Sequence, residues 1–252
     1  MAFVDILGFS ELVERSYGDA ASITPAEIKE ALDVPPPAGP DKIVLGRIGD
    51  IAASNHRMTA FSDSVVISVD PTECGLMYLL HHVGEIGFRL LRLRRLCRGG
   101  VARGLIYHEG SVVFGPALLA AYCLEKHVAK FPRVILSKQV VAMGSSADFP
   151  VNKVFRSFTR QSDDGWRYVN ILRVIRMIMD TESGPPPDIV EMCHGISGYI
   201  AESLSTYKEK PGLQQKYEWF KNYFDWAVDR RALDRLKQPF PAHSFTDFQQ
   251  KH

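Results

Sequence analysis

Short apolar runs bounded by turn residues alternate along this chain with stretches whose apolar side chains recur every three or four positions. The first pattern predicts strands and the second amphipathic helices. Residues 2–6 read as a strand, and Ser10 reads as the N-cap of a helix running towards Tyr17. Thr24 and Pro25 open a short helix to Leu32. The run Pro35-Pro36-Pro37-Ala38-Gly39-Pro40 predicts an exposed loop, and residues 43–56 fit no regular pattern. Residues 57–69 predict a hairpin turning at Ser62-Asp63.

Pro71 opens a long helix from Glu73 to about Leu96, whose Leu76, Leu79, Leu80, Val83, Ile86, Leu90 and Leu91 mark a buried face. On that spacing the adjacent His81 and His82 cannot both face a core, and neither is given a role. The arginines at 89, 92, 94 and 95 suit a last helical turn. Residues 99–107 and 111–114 predict a second hairpin turning at Glu109-Gly110. Gly115-Pro116 opens a helix to Lys126, and Val134–Leu136 reads as a short strand. Val154–Phe158 and Trp166–Asn170 read as paired strands around the turn at 162–165. Gly184-Pro185-Pro186-Pro187 divides a larger domain, 1–180, from a helical extension at 188–237 and a poorly ordered tail at 238–252. The extension reads as two helices, 188–207 and 213–236, the second carrying Trp219, Phe220, Tyr223, Phe224 and Val228.

Composition narrows the classes. A formal charge of +1 over 252 residues gives no whole-molecule reason to expect nucleic acid or an anionic membrane as partner. No apolar run approaches a bilayer span. The opening residues carry no basic region and reach a charge at Asp5, which is not the form of a secretory signal. The four scattered cysteines suit a reducing cytoplasm and neither a zinc site nor a disulfide framework. A cytoplasmic protein is therefore expected.

The candidate chemistry lies at two acidic turns. Asp5 ends an apolar run, before Gly8 and a helix start, where a carboxylate can hold a cation beside a phosphate. Asp63 sits at the tight turn of the first hairpin. The expectation is that Asp5 and Asp63 meet and bind two divalent cations.

Three stretches carry a resemblance. Phe3-Val4-Asp5-Ile6-Leu7-Gly8-Phe9-Ser10 resembles the first metal motif of the class III nucleotidyl cyclases, F-x-D-I-x-G-F-[ST]. Phe61-Ser62-Asp63-Ser64 stands where that family has its second metal aspartate. Arg98-Gly99-Gly100-Val101-Ala102-Arg103-Gly104, then Val113-Phe114-Gly115-Pro116-Ala117, resembles the hairpin and helix start that follow. The resemblance spans roughly residues 1–170. It implies an α+β fold with a ferredoxin-like βαββαβ core and a C-terminal helical extension. It also implies Mn²⁺ or Mg²⁺, two ions per site, and a homodimer with composite sites. Asp5, the Ile6 carbonyl and Asp63 would be the metal ligands, and the amides of Gly8, Phe9 and Ser10 would cradle phosphates.

The departures shape the substrate expectation. The family lysine that reads a purine corresponds to Thr59, and its base-reading aspartate to Val112. Thr59 and Val112 are therefore expected to line the base pocket. The family's catalytic Asn and Arg fall at Leu119 and Cys123, leaving Arg98 and Arg103 as candidate transition-state cations. With the helix start at Gly115-Pro116-Ala117-Leu118 and the stretch Ala121–Glu125, the chain is similar to the pyrimidine cyclases of bacterial anti-phage (Pycsar) defence. That implies UTP as substrate, cyclic UMP as product, and a separate effector. CTP, a purine-type cyclase, and a cyclase-like module without turnover remain the alternatives.

Overall fold

The computed structural model describes residues 1–16, 23–50, 55–181 and 184–228. These pack as two compact units, Met1–Arg173 and a second beginning at Val174.

The first unit opens with β1 (Ala2–Ile6), then α1 (Phe9–Ser16), α2 (Pro25–Leu32) and α3 (Gly39–Gly46). β2 (Arg57–Phe61) and β3 (Ser64–Ser68) form the predicted hairpin, and Ser62 turns it with φ +52°. α4 (Glu73–Arg92) is followed by β4 (Cys97–Val101), β5 (Tyr107–Glu109) and β6 (Val112–Phe114). α5 (Pro116–Cys123) runs into a π-helical turn, Leu124–Val128. Then come β7 (Val134–Leu136), α6 (Lys138–Ser146), α7 (Val151–Phe158), β8 (Thr159–Gln161) and β9 (Arg167–Val169). α8 (Arg173–Met179) begins at the boundary of the units.

The fold is mixed α+β. A seven-stranded sheet in the order β2-β3-β1-β4-β7-β9-β8 is flanked by helices. Its pairings are antiparallel except β4 with β7. β1 is an interior strand, and its one polar position, Asp5, faces the same side as Phe3 while Ala2, Val4 and Ile6 face the other. A cluster of Met1, Phe3, Val66, Ala102, Ala117 and Ala121 packs on the Phe3 side. α4 brings a wide buried face to the unit's core, including Met77, Leu80, Val83, Ile86 and Leu90.

Local chemistry explains several helix starts. Thr24 caps α2 through a full capping box with Glu27. The Thr72 hydroxyl accepts from the Gly75 amide and starts α4.

Several expectations are corrected. α1 starts at Phe9, so Ser10 lies in its first turn and does not cap it. The proline run is a loop only as far as Ala38; Gly39-Pro40 opens α3, where a first-turn proline loses no helical bond, and Pro37 is buried. α4 stops at Arg92, and Arg94 turns the chain with φ +56°. The strand expected at 99–107 breaks after Val101: β4 belongs to the main sheet, and β5–β6 form a separate two-stranded ribbon. Val154–Phe158 is helix, because Val151, Val154, Phe155 and Phe158 bury one face at helical spacing. His81 and His82 are both buried, because α4 is covered on more than one side. His81 meets Asp41 of α3 at 3.2 Å, and His82 meets the His56 ring.

The second unit contains α9 (Pro187–Thr206) and α10 (Pro211–Ala227). The Tyr199 and Tyr217 hydroxyls lie 3.0 Å apart, and Tyr207 stacks on Tyr217. The expected continuation of the second helix beyond 228 and the tail at 238–252 lie outside the described residues. Among the described residues no helix is long and apolar enough to cross a membrane.

Candidate functional site at one end of the first strand

Next to the end of β1, Asp5 lies opposite Ser64 of β3 and Arg98 of β4. The Ile6 amide donates to the Asp63 carbonyl at 2.7 Å, and the Leu7 amide to the Leu96 carbonyl at 2.9 Å. The turn carrying Asp63 is thereby fastened beside the strand end carrying Asp5. Gly8, with φ +72°, turns the chain out of the sheet and into α1. Gly8 and Ser10 are exposed and Phe9 is half-buried, so the N-terminus of α1 opens beside Asp5.

The side chains here form a charge chain. Arg98 Nε donates to Asp5 Oδ2 at 3.0 Å. The same nitrogen lies 2.6 Å from Glu125 Oε1. Side-chain exposures are 30% for Arg98, 16% for Asp5 and 5% for Glu125, so the acid at the inner end is nearly dry. Burial pushes the Glu125 carboxyl above its ordinary range. The Arg98 guanidinium opposes that rise, and the negative charges of Asp5 and Asp63 add to it. Asp5, Asp63, Arg98 and Glu125 thus share one electrostatic neighbourhood.

Glu125 reaches this place because α5 settles directly on β4. A Cβ on Gly100 would overlap the Ala121 carbonyl and lie 2.7 Å from Leu124 Cβ. Only glycine permits that approach. The π-helical turn then widens the helix and carries Glu125 over Arg98. Glu125 is absent from the sequence-derived site; the available signal was a lone acid in the otherwise apolar stretch Pro116–Glu125. Cys97, next to Arg98, is no candidate nucleophile: burial, with the Asp5 charge, pushes its thiol up to about 12.

The remaining predicted residues lie elsewhere. Arg103 follows the opposite end of β4, past Val101, whose partner is Ala2. At strand rise that is roughly 16 Å of chain from Arg98. Arg103 is exposed and lines an open groove with Thr72, Glu73, Gln139 and Met143. Within one chain it is not brought to Asp5. Leu119 and Cys123 are exposed on α5.

Thr59 and Val112 come to one place, the β5–β6 ribbon. Thr59 Oγ1 lies 2.9 Å from His108 Nε2 and 3.1 Å from the Gly110 carbonyl. Ser68 Oγ lies 2.8 Å from His108 Nδ1. These bonds are satisfied together when Ser68 donates to Nδ1, Nε2–H donates to Thr59, and Thr59 donates to Gly110. Arg57 donates to the His108 carbonyl. The Thr59 hydroxyl therefore holds the ribbon against β2, while Val112 is exposed on β6.

Two half-buried carboxylates and hard oxygen donors would suit Mg²⁺ or Mn²⁺, and the Arg98 guanidinium stands on Asp5 where a cation would bind. Among the described residues no group of three or more His, Cys, Asp or Glu side chains is arranged to hold a metal ion. Asp5 and Asp63 with neighbouring main-chain carbonyls are the groups that could hold such an ion. In comparison with known proteins, the chain matches no family model and no curated relative.

Proposed function

We propose that this chain is a nucleotidyl cyclase that converts a pyrimidine nucleoside triphosphate, UTP by preference, to its 3′,5′-cyclic monophosphate and pyrophosphate. One observation carries the reading. The strand end bearing Asp5 and the turn bearing Asp63 are fastened by a backbone hydrogen bond, with Arg98 on Asp5 beside them. The strand order β2-β3-β1-β4 with antiparallel neighbours supports a ferredoxin-like βαββαβ core, since a split βαβ arrangement produces that order.

Asp5, Asp63 and the Ile6 carbonyl would hold two divalent cations, Mn²⁺ or Mg²⁺. Bound there, such ions neutralise phosphate charge and acidify the ribose 3′-hydroxyl. The chain's own residues bind and orient. The amides of Gly8, Phe9 and Ser10 at the start of α1 receive the outer phosphates. Arg98 brings positive charge to the phosphate whose bond is broken. The 3′-oxygen bonds to the α-phosphorus, the bond to the pyrophosphate oxygen breaks, and the hydroxyl proton passes to solvent. With Thr59 and Val112 at the purine-reading positions, neither lysine nor aspartate is offered to an adenine.

A homodimer belongs to this reading. Leu105 just before β5, Tyr107 and Phe114 on the β5–β6 ribbon, and Leu119 and Tyr122 on α5 leave large apolar surfaces exposed. A second copy on that face would complete the site and could bring Arg103 to it. The product would be a second messenger acting on a separate effector in anti-phage defence.

A module that binds nucleotide without turnover is the second reading, favoured by the exposed Leu119 and Cys123 where polar catalytic groups would stand. Incubation with Mn²⁺ and each of the four nucleoside triphosphates, followed by product mass analysis, separates the cases. The proposal predicts cyclic UMP as the main product. A clear ATP preference would remove the pyrimidine argument, and binding without product would favour the module.

A further inference from the structure

We propose that Glu125 is a positioning residue that retains Arg98 at the site when a divalent cation displaces it from Asp5. The inference rests on the two-aspartate reading above and deepens it.

The geometry gives Arg98 two acceptors of different kinds. The single Nε hydrogen points at Asp5 Oδ2, 3.0 Å away. Glu125 Oε1 is nearer, at 2.6 Å, yet lies off the N–H axis and receives no hydrogen bond. Glu125 is thus bound to Arg98 by charge while one of its buried oxygens has an unfilled acceptor position. Asp5 holds the guanidinium through Oδ2, and a dication bound to the same carboxylate would repel that guanidinium at this range. Glu125 depends on Arg98 more strongly: it is the most buried of the three side chains, and losing Arg98 would leave a desolvated carboxylate or force it to take up a proton. The low-energy response to a cation on Asp5 is that the Nε–H turns to Glu125. Arg98 then remains beside the site, freed to face a phosphate. The close seating of α5 on Gly100 and the π-helical turn fix Glu125 where this exchange needs it.

The test is a double-mutant cycle read by Mn²⁺ binding to the full-length protein, followed by electron paramagnetic resonance without nucleotide. Glu125→Gln should weaken Mn²⁺ binding about tenfold when Arg98 is present, because Arg98 then stays on Asp5. In an Arg98→Met background the same substitution should change Mn²⁺ binding less than about threefold. Equal weakening in both backgrounds would mean that Glu125 acts only as a distant negative charge, and would overturn this inference alone. Wild-type protein that binds no Mn²⁺ would overturn the two-aspartate reading and this inference with it. Should Glu125→Gln fail to fold, the Arg98 Nε–H resonance of the wild type decides. It should shift on Mg²⁺ addition and stay protected from solvent exchange; rapid exchange on Mg²⁺ addition would overturn the proposal.

Discussion

The amide of Ile6 donates to the carbonyl of Asp63 at 2.7 Å, so the residue after one aspartate is tied to the main chain of the other. Because this tie uses backbone atoms, it does not need the Asp63 carboxylate. Asp63→Ala should therefore change stability by no more than about 0.5 kcal/mol in urea denaturation. A loss above about 2 kcal/mol would mean that the carboxylate serves the turn itself.

His82 is buried on α4, with neither ring nitrogen hydrogen-bonded, and its ring centroid lies 4.5 Å from that of His56. Tyr78, His81 and Arg89 also face it. Burial, then the neighbouring His56, His81 and Arg89, lowers its pKa to about 3. The folded form resists a proton that the unfolded chain accepts. Stability is therefore full above the unfolded histidine value, near 6.5, and falls as pH drops from there towards about 3. The slope should approach about 1.4 kcal/mol per pH unit for this one group. His82→Phe should flatten it, as urea midpoints between pH 7.5 and 5 would report; an unchanged slope would count against the assignment.

Gly100→Ala should cost about 1–3 kcal/mol, since the added Cβ meets the Ala121 carbonyl and Leu124 and must lift α5 from β4. Denaturant midpoints check the stability. Substitution at Gly110, whose surroundings are open, tests a different cause: its φ of +55° would be strained by a side chain without any helix being moved.

Thr59→Val keeps the shape of the residue and removes the hydroxyl that accepts from buried His108 and donates to Gly110. A stranded ring N–H should cost about 1–3 kcal/mol. Hydrogen exchange should then quicken across residues 107–114 while β1 and β4 keep their protection. Uniform quickening would mean that the ribbon does not open separately.

Local chemistry made much of the fold legible. Thr24-Pro25 with Glu27 marked a helix start, and Ser62-Asp63 between apolar runs marked a hairpin. Those signals lie within a few residues of the feature they create. The errors arose where packing decided. Val154–Phe158 suits either a strand or one helical face, and the core chose the helix. Residues 99–107 are apolar enough for one strand, yet the chain leaves the sheet after Val101 and reappears as β5. At the candidate site, the strand end of Asp5 and the hairpin turn of Asp63 have local signals in the sequence, and the place of Arg98 beside Asp5 follows from the pairing of β1 with β4. Glu125 was not legible, because its role depends on how closely α5 approaches Gly100. Arg103 shares a motif with Arg98 but sits past the far end of the same strand.

The most direct test compares wild-type protein with Asp63→Ala, each with Mn²⁺ and α-labelled UTP, with cyclic UMP and pyrophosphate counted over time. The account predicts steady cyclic UMP from the wild type and none from the folded Asp63→Ala protein. Cyclic product formed by Asp63→Ala at the wild-type rate, or no cyclic nucleotide from the wild type with any triphosphate, would contradict it.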